Sequence, residues 1–309
     1  RGTTSSSEQF NFVISNYLKY SKLFSEKHDL NILVGQEYNG FNNRSVNTTS
    51  EDFSTKVFGL DNLGVAATQL VRSNRVEANL QSFFGRLDYS FNDRYLLNAT
   101  YRADGSSRFA ENNKWGYFPS FGAAWLVSNE DFLANSKISN LKIRASWGQV
   151  GSQAIEPYQS LNQFVSNNVF STIGNNASIG IQPSGTAGNS ELKWETTTTF
   201  DIGFDLGLFK NALEVNVSYY NKRTEDLLQQ VSLPAQEGFS NILVNLGEVE
   251  NKGLEIGIFA DIFRNKEFNW STSFNASFNR SKVLDIGTAP RLFPADGQAF
   301  VNVFVNTNV

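Results

Sequence analysis

The sequence holds no cysteine and only one histidine among its 309 residues. The first absence excludes a disulfide framework and a thiolate metal site. The second excludes the usual multi-histidine zinc sites and leaves His28 as the one residue around which a Ser-His-Asp triad could form. His28 lies in "SEKHDL", which reads as a short solvated turn. No G-x-S-x-G, P-loop or H-E-x-x-H pattern occurs, so no enzyme and no cofactor are expected. Charge is sparse as well, at 18% of residues. The net charge of -4 and the acidic pI of about 5.2 leave no basic footprint for nucleic acid. No apolar run approaches the ~18 residues of a transmembrane helix. Strands that cross a membrane carry a weaker hydropathy signal, and a mean hydropathy of -0.32 is compatible with them. Methionine is absent too, and the chain opens at Arg1 without a signal sequence, which reads as an internal piece of a longer precursor.

What the sequence has is alternation. In "FFGRLDYSFNDRYLLNATYRADGSSRF" (83–109), Phe83, Leu87, Tyr89 and Phe91 share one face, and Arg86, Asp88 and Ser90 share the other. The pattern breaks at "NDR" and resumes with Tyr95, Leu97, Ala99 and Tyr101 against Arg94, Asn98, Thr100 and Arg102. The same two-residue period places Leu141, Ile143, Ala145 and Trp147 together, then Phe200, Ile202 and Phe204, then Phe274, Ala276 and Phe278. Strands are expected over 9–21, 29–40, 81–91, 94–103, 117–127, 140–149, 192–207, 212–222, 248–262 and 267–280, with another near 299–306.

A soluble sandwich also alternates, because one face of each sheet meets a core. Connection lengths separate the two cases. Short links at 92–93, 208–211 and 263–266 alternate with long ones near 41–80, 104–116, 150–191 and 223–247. Soluble domains favour connections of ~4–6 residues, whereas membrane barrels have short turns on one rim and long loops on the other. Aromatic residues, 14% of the chain, cluster near strand ends, as the girdles of such barrels do. The residues therefore point to an all-β chain, a partial antiparallel transmembrane β-barrel in which 1–309 form part of one barrel domain.

Several blocks carry a family resemblance: "RYLLNATYRADGSSRFAENNKWGYFPSFGAAWLVSNEDFL" (94–133), "LKIRASWGQVGSQAI" (141–155), "ELKWETTTTFDIGFDLGLFKNALEVNVSYYNKRTEDLL" (191–228) and "NLGEVENKGLEIGI" (245–258). In this order they resemble the C-terminal barrel half of the SusC/RagA-type TonB-dependent transporters of Bacteroidetes outer membranes. The resemblance implies a fragment of a 22-stranded barrel whose N-terminal plug and TonB-contacting region are absent from this chain. It also implies import of glycans or peptides across a Gram-negative outer membrane, together with a SusD-like surface lipoprotein. Two rival roles are a barrel recruited into an envelope secretion or structural assembly, and a soluble secreted β adhesin or carbohydrate-binding module.

Ligand contacts are expected from two polar or aromatic motifs. "RADGSSRF" (102–109) offers Asp104 and Arg108 at the outer mouth, although a structural turn with Arg108 paired to lumenal acids is the plainer reading. "KWGYFP" (114–119) offers Trp115 and Tyr117 as stacking surfaces, although such rings more often belong to a girdle. Glu195 and Glu255 are expected to face the lumen and Trp194 the membrane interface.

Overall fold

The computed structural model describes residues 1–55, 57–173, 176–264 and 268–287. The expected strand near 299–306 lies outside the described residues. Among the described residues, fifteen strands occur in chain order: β1 (Gly2–Phe24), β2 (His28–Phe53), β3 (Ala66–Phe91), β4 (Tyr95–Ser106), β5 (Trp115–Leu126), β6 (Ile138–Ser152), β7 (Phe164–Ile173), β8 (Asn176–Pro183), β9 (Thr186–Ala187), β10 (Glu195–Leu208), β11 (Leu213–Glu225), β12 (Leu228–Ser232), β13 (Asn241–Asn245), β14 (Glu248–Arg264) and β15 (Asn269–Asp285). Ten of them make one antiparallel sheet in the order β1-β2-β3-β4-β5-β6-β10-β11-β14-β15. The remaining strands belong to the long connections: a β7–β8 hairpin and a small sheet in the order β12-β13-β9.

Register fixes what each face of the large sheet carries. Phe83 lies opposite Gln36, Leu87 opposite Ile32 and Ala99, Phe121 opposite Ala99 and Trp147, and Phe204 opposite Ile143 and Val217. Residues directly opposite share a face, so the apolar positions of strand after strand merge into one surface. That surface is uncovered: Phe83 is 46% exposed, Phe121 56%, Phe274 59% and Phe278 63%. In a sandwich these side chains would interdigitate with a second sheet. Their exposure overturns the sandwich and with it the soluble-module reading.

Aromatic rings border the apolar surface on both sides. Near the short turns Tyr95 stacks between Phe91 and Trp125, at 6.3 Å to each. Near the long loops Phe83 stacks on Trp115 at 6.0 Å and Tyr101 on Tyr117 at 6.3 Å. Along β5 the ten steps from Trp115 to Trp125 rise about 23 Å at ~3.3 Å per residue and ~45° of tilt, close to the ~25 Å apolar band of a membrane barrel. His28 belongs to the same border and is not a solvated turn residue. It opens β2, its ring lies 4.8 Å from Phe91, and its Nδ1 shares a 2.7 Å hydrogen bond with the Tyr89 hydroxyl.

The turns agree with the sequence on one rim and depart from it on the other. β3 passes to β4 through Asn92 and Asp93, both left-handed, at φ 54° and 51°. Two consecutive left-handed residues match the right-handed twist of a hairpin, and Asn and Asp adopt that conformation with little strain. The stretch 41–80, expected as a loop, is strand over 41–53 and 66–80, because β2 runs on to Phe53 and β3 begins at Ala66. The ladder from Asn42 opposite Glu77 to Phe53 opposite Ala66 is continuous apart from one skipped residue at Asp52. From Phe83 to Ala66 the wall extends about 40 Å past the aromatic border, at ~3.3 Å per residue and ~45° of tilt. That part of the wall stands beyond the apolar surface, so lipid imposes no alternation on "NNRSVNTTSED".

Replacing Ala123, at the middle of the apolar surface, by Arg is expected to destabilise the full-length barrel by about 2–4 kcal/mol. The same replacement at Ser273, on the opposite face of β15, is expected to cost well under half of that. Denaturant unfolding in detergent or bilayer checks the contrast.

Candidate functional site

The second face of the large sheet is polar and internally bonded. Arg144 on β6 donates to Asp201 Oδ1 on β10 at 2.7 Å and to Ser218 Oγ on β11 at 3.1 Å, and Ser218 Oγ in turn donates to Asp201 Oδ2 at 2.9 Å. Arg102 on β4 donates through Nε to Asp104 at 2.8 Å and through Nη2 to Ser82 Oγ on β3 at 2.8 Å. Arg86 pairs with Asp88 at 2.8 Å. These bonds run within and between strands, as cross-strand pairing allows, and they leave each guanidinium beside a carboxylate. Glu195 and Glu255 share this polar face: Glu195 alternates with Thr197 and Asp201, and Glu255 lies opposite Ser218 and Ser277.

Curvature is visible in what this face encloses. A cavity of about 440 Å³ is lined by Asp29, Asp88, Asn98, Gly122, Arg144 and Asp201, which come from β2, β3, β4, β5, β6 and β10. Residues of six successive strands line one space only where their shared face is concave. The sheet therefore curves with polar groups inside and apolar groups outside. Gly122 keeps this wall tight, because a Cβ there would sit 2.6 Å from Asn98 Oδ1.

At the long-loop rim the connections fold back over the polar face and form a compact core. Phe109, Phe118, Ile155, Leu192 and Trp194 bury one another, with Leu80, Leu228 and Leu243 packed around them. Phe109 and Phe118 lie 5.2 and 5.5 Å from the Trp194 ring, and the Trp194 indole N–H donates to Lys114 O at 3.1 Å. Trp194 is thus a core residue and not an interface residue. It precedes the start of β10 at Glu195, so the alternation of that strand does not govern where it points. Three connections meet in this core, following β4, β6 and β11. Further bonds tie them: Arg108 Nη1 donates to Ile155 O, Asn189 Nδ2 to Leu243 O at 2.8 Å, and Lys193 pairs with Asp226 at 2.8 Å. β9 adds in parallel to β13, Thr186 beside Asn241.

The four residues singled out from sequence do not come together. Asp104 is 8% exposed on the polar face and held by Arg102. Arg108 is half-buried in the loop core, and among the described residues it faces no carboxylate, so the expected pairing with lumenal acids is not formed. Trp115 and Tyr117 point to the opposite, apolar surface, in the aromatic border with Phe83 and Tyr101. Sequence reasoning missed Phe109, Ile155 and Leu192, because single apolar residues in polar loops carry no periodic pattern.

A second cluster stands on the short-turn rim. Glu130 accepts from the Tyr95 hydroxyl at 2.9 Å, the Trp125 indole N–H at 3.0 Å and Arg94 Nη1 at 2.8 Å. Hydrogen bonds from Trp125 and then Tyr95, with the positive charge of Arg94, hold its carboxyl below the ordinary carboxylate range. A depressed carboxylate contributes stability that is complete above its unfolded pKa and is lost as pH falls through the folded value.

Two outcomes follow. Trp194→Ala is expected to cost about 3–5 kcal/mol in the loop core, seen as faster protease nicking within 153–194 while the strands stay intact. Replacing Glu130 with Gln is expected to lower the melting temperature at pH 7. The gap to the parent protein should close as pH drops through the acid range, which a pH series of melting curves measures.

A family model described as TonB dependent receptor-like, beta-barrel matches residues 1–302. TonB-dependent receptor P3 of Formosa agariphila is 39% identical over 285 residues, which is 92% of this chain and 28% of that protein. TonB-dependent receptor SusC of Bacteroides thetaiotaomicron is 37% identical over 212 residues, 67% of this chain and 21% of that protein. The solved structure of the RagAB peptide transporter superposes with a TM-score of 0.83 at 28% identity, covering 93% of this chain and 32% of that one. The chain thus spans less than a third of the length of these relatives. The match over almost the whole sequence accords with the apolar outer surface and the concave polar face, and the chain belongs to the TonB-dependent receptor-like β-barrel family.

Proposed function

We propose that the chain is part of the wall of an outer-membrane transporter that imports a glycan or a peptide with energy delivered through TonB. The observation that carries this reading is the pairing of an uncovered apolar belt, bordered by aromatic rings, with a concave polar face. Lipid solvates the belt and water or cargo solvates the polar face. Among the described residues, β1 and β15 are the edges of the sheet. An open edge in lipid leaves N–H and C=O groups unpaired at several kcal/mol each, so further strands of the same protein are expected to close the wall.

In this reading the long-loop rim faces the cell exterior, as outer loops of bacterial barrels do. Its loop core sits where cargo enters, and Asp104 and Arg108 lie along that entrance. Trp115 and Tyr117 are assigned to the membrane border and not to cargo. A SusD-like lipoprotein is the expected surface partner. A peptide cargo is supported by the likeness to the RagAB peptide transporter, and a glycan remains the other cargo class that the polar, weakly charged face accommodates.

Deleting the TonB-contacting segment of the full-length protein is expected to abolish cargo accumulation in cells while leaving surface binding intact. Uptake at the parent rate in that deletion strain would refute energised import.

A further inference from the structure

Between the tall wall of β1–β3 and the folded loops at the mouth runs a cleft of about 310 Å³. Asn11, Asn39 and Phe41 line it from the wall, and Arg108 and Gln153 line it from the loops. Both sides are fixed. The wall side is a continuous antiparallel ladder. The loop side is pinned at several points besides its buried core. Asn79 and Ser107 exchange bonds of 2.8 and 2.9 Å, the Glu77 amide donates to the Tyr158 hydroxyl at 2.9 Å, and Arg108 holds Ile155 O. The cleft therefore exists before anything enters it.

Its chemistry is that of side-chain amides around an apolar ring. Asn39 gives one N–H to Glu37 at 3.0 Å, which leaves its oxygen as an acceptor. The side-chain amides of Asn11 and Gln153 bond to none of the described residues, and Arg108 gives one of its five N–H groups to a backbone carbonyl. Among the described residues, no carboxylate lines the space. The nearby acids Glu37 and Glu77 are occupied by Ser15 and Asn39 and by Asn42 and Arg75. Each amide offers both donors and an acceptor, and the size falls at the lower end of ligand sites.

We propose that this cleft is a pre-formed subsite for a neutral chain that alternates hydrogen-bond donors and acceptors, the hydroxyls of an oligosaccharide or the backbone amides of a peptide. The proposal rests on the import reading above and assigns part of the cargo contact to Asn11 and Gln153. A pre-formed site needs no movement of the mouth loops when cargo arrives. Ordering costs that would weaken binding are met during folding instead.

The test uses the full-length protein, purified in detergent and offered a neutral oligosaccharide library or a library of capped oligopeptides. The wild type is expected to retain members of one library, and which one identifies the source of the recognised groups. The double variant Asn11→Leu/Gln153→Leu is expected to bind the retained ligand about thirtyfold more weakly, the loss of two modest hydrogen bonds. The amide-keeping pair Asn11→Gln/Gln153→Asn should stay within about threefold of wild type. In a third variant, Thr186→Cys/Asn241→Cys, a disulfide locks the loops together where Thr186 Oγ1 now bonds Asn241 Oδ1 at 2.8 Å. It should bind like wild type before and after reduction. Retention of neither library, unchanged affinity in the double leucine variant, or binding by the locked form only after reduction would each overturn the proposal. Uptake by cells is followed in parallel. Energised uptake that ignores the leucine changes removes the subsite alone, and subsite binding without energised uptake removes the import reading alone.

Discussion

The rest of the structure depends on one constraint: in hydrocarbon, a backbone amide or carbonyl has no partner except another strand. Ten strands answer it with antiparallel ladders that run, with a few irregular steps, from β1 to β15. Once the backbone is paired, side chains divide by parity, and lipid selects one parity for apolar groups over the height of the bilayer. The belt containing Leu87, Ala99, Phe121, Ala145, Ile202 and Val217 is the result. Nothing in the described structure packs on it, because its solvent is the membrane.

The same constraint explains what the opposite face is free to do. Polar groups there need not be buried in a core, so they bond one another along the wall, as Arg144 does with Asp201 and Ser218. Apolar burial of the soluble-protein kind occurs instead at the mouth, where Phe109, Phe118 and Trp194 fasten three connections over the polar face. The fold thus uses two hydrophobic effects in different places. One is transfer of the belt to lipid, and the other is a small water-excluding core that shapes the entrance.

How much of this the sequence reveals follows from which solvent each segment meets. Where one face meets lipid, a period of two is imposed, and β3 to β6, β10, β11, β14 and β15 are legible from it. Beyond the belt, from Phe41 to Phe53 and from Ala66 to Leu80, lipid selects neither parity and the pattern vanishes. The site was less legible than the fold. Trp115 and Tyr117 alternate in step with Phe121 and Trp125, so their parity already placed them on the outer surface, and aromatic type alone misled. Trp194 misled in the other direction, since the alternation of β10 does not extend to a residue that precedes it. The partners of Asp104 and Arg108 depend on contacts with Arg102, two positions away, and with Ile155, 47 positions away. The first is inferable from strand geometry and the second from nothing local.

The central claim is that lipid touches one parity of each strand. The chain has no native cysteine, so single cysteines at 119 to 125 along β5 in the full-length protein accept nitroxide labels without background in this region. Collision with oxygen reports lipid, and collision with a water-soluble nickel complex reports the lumen. The account predicts that labels at 119, 121, 123 and 125 meet oxygen, and that labels at 120 and 124 meet nickel. Labels at 121 and 123 shielded from both reagents would show a protein core against that face and contradict the account.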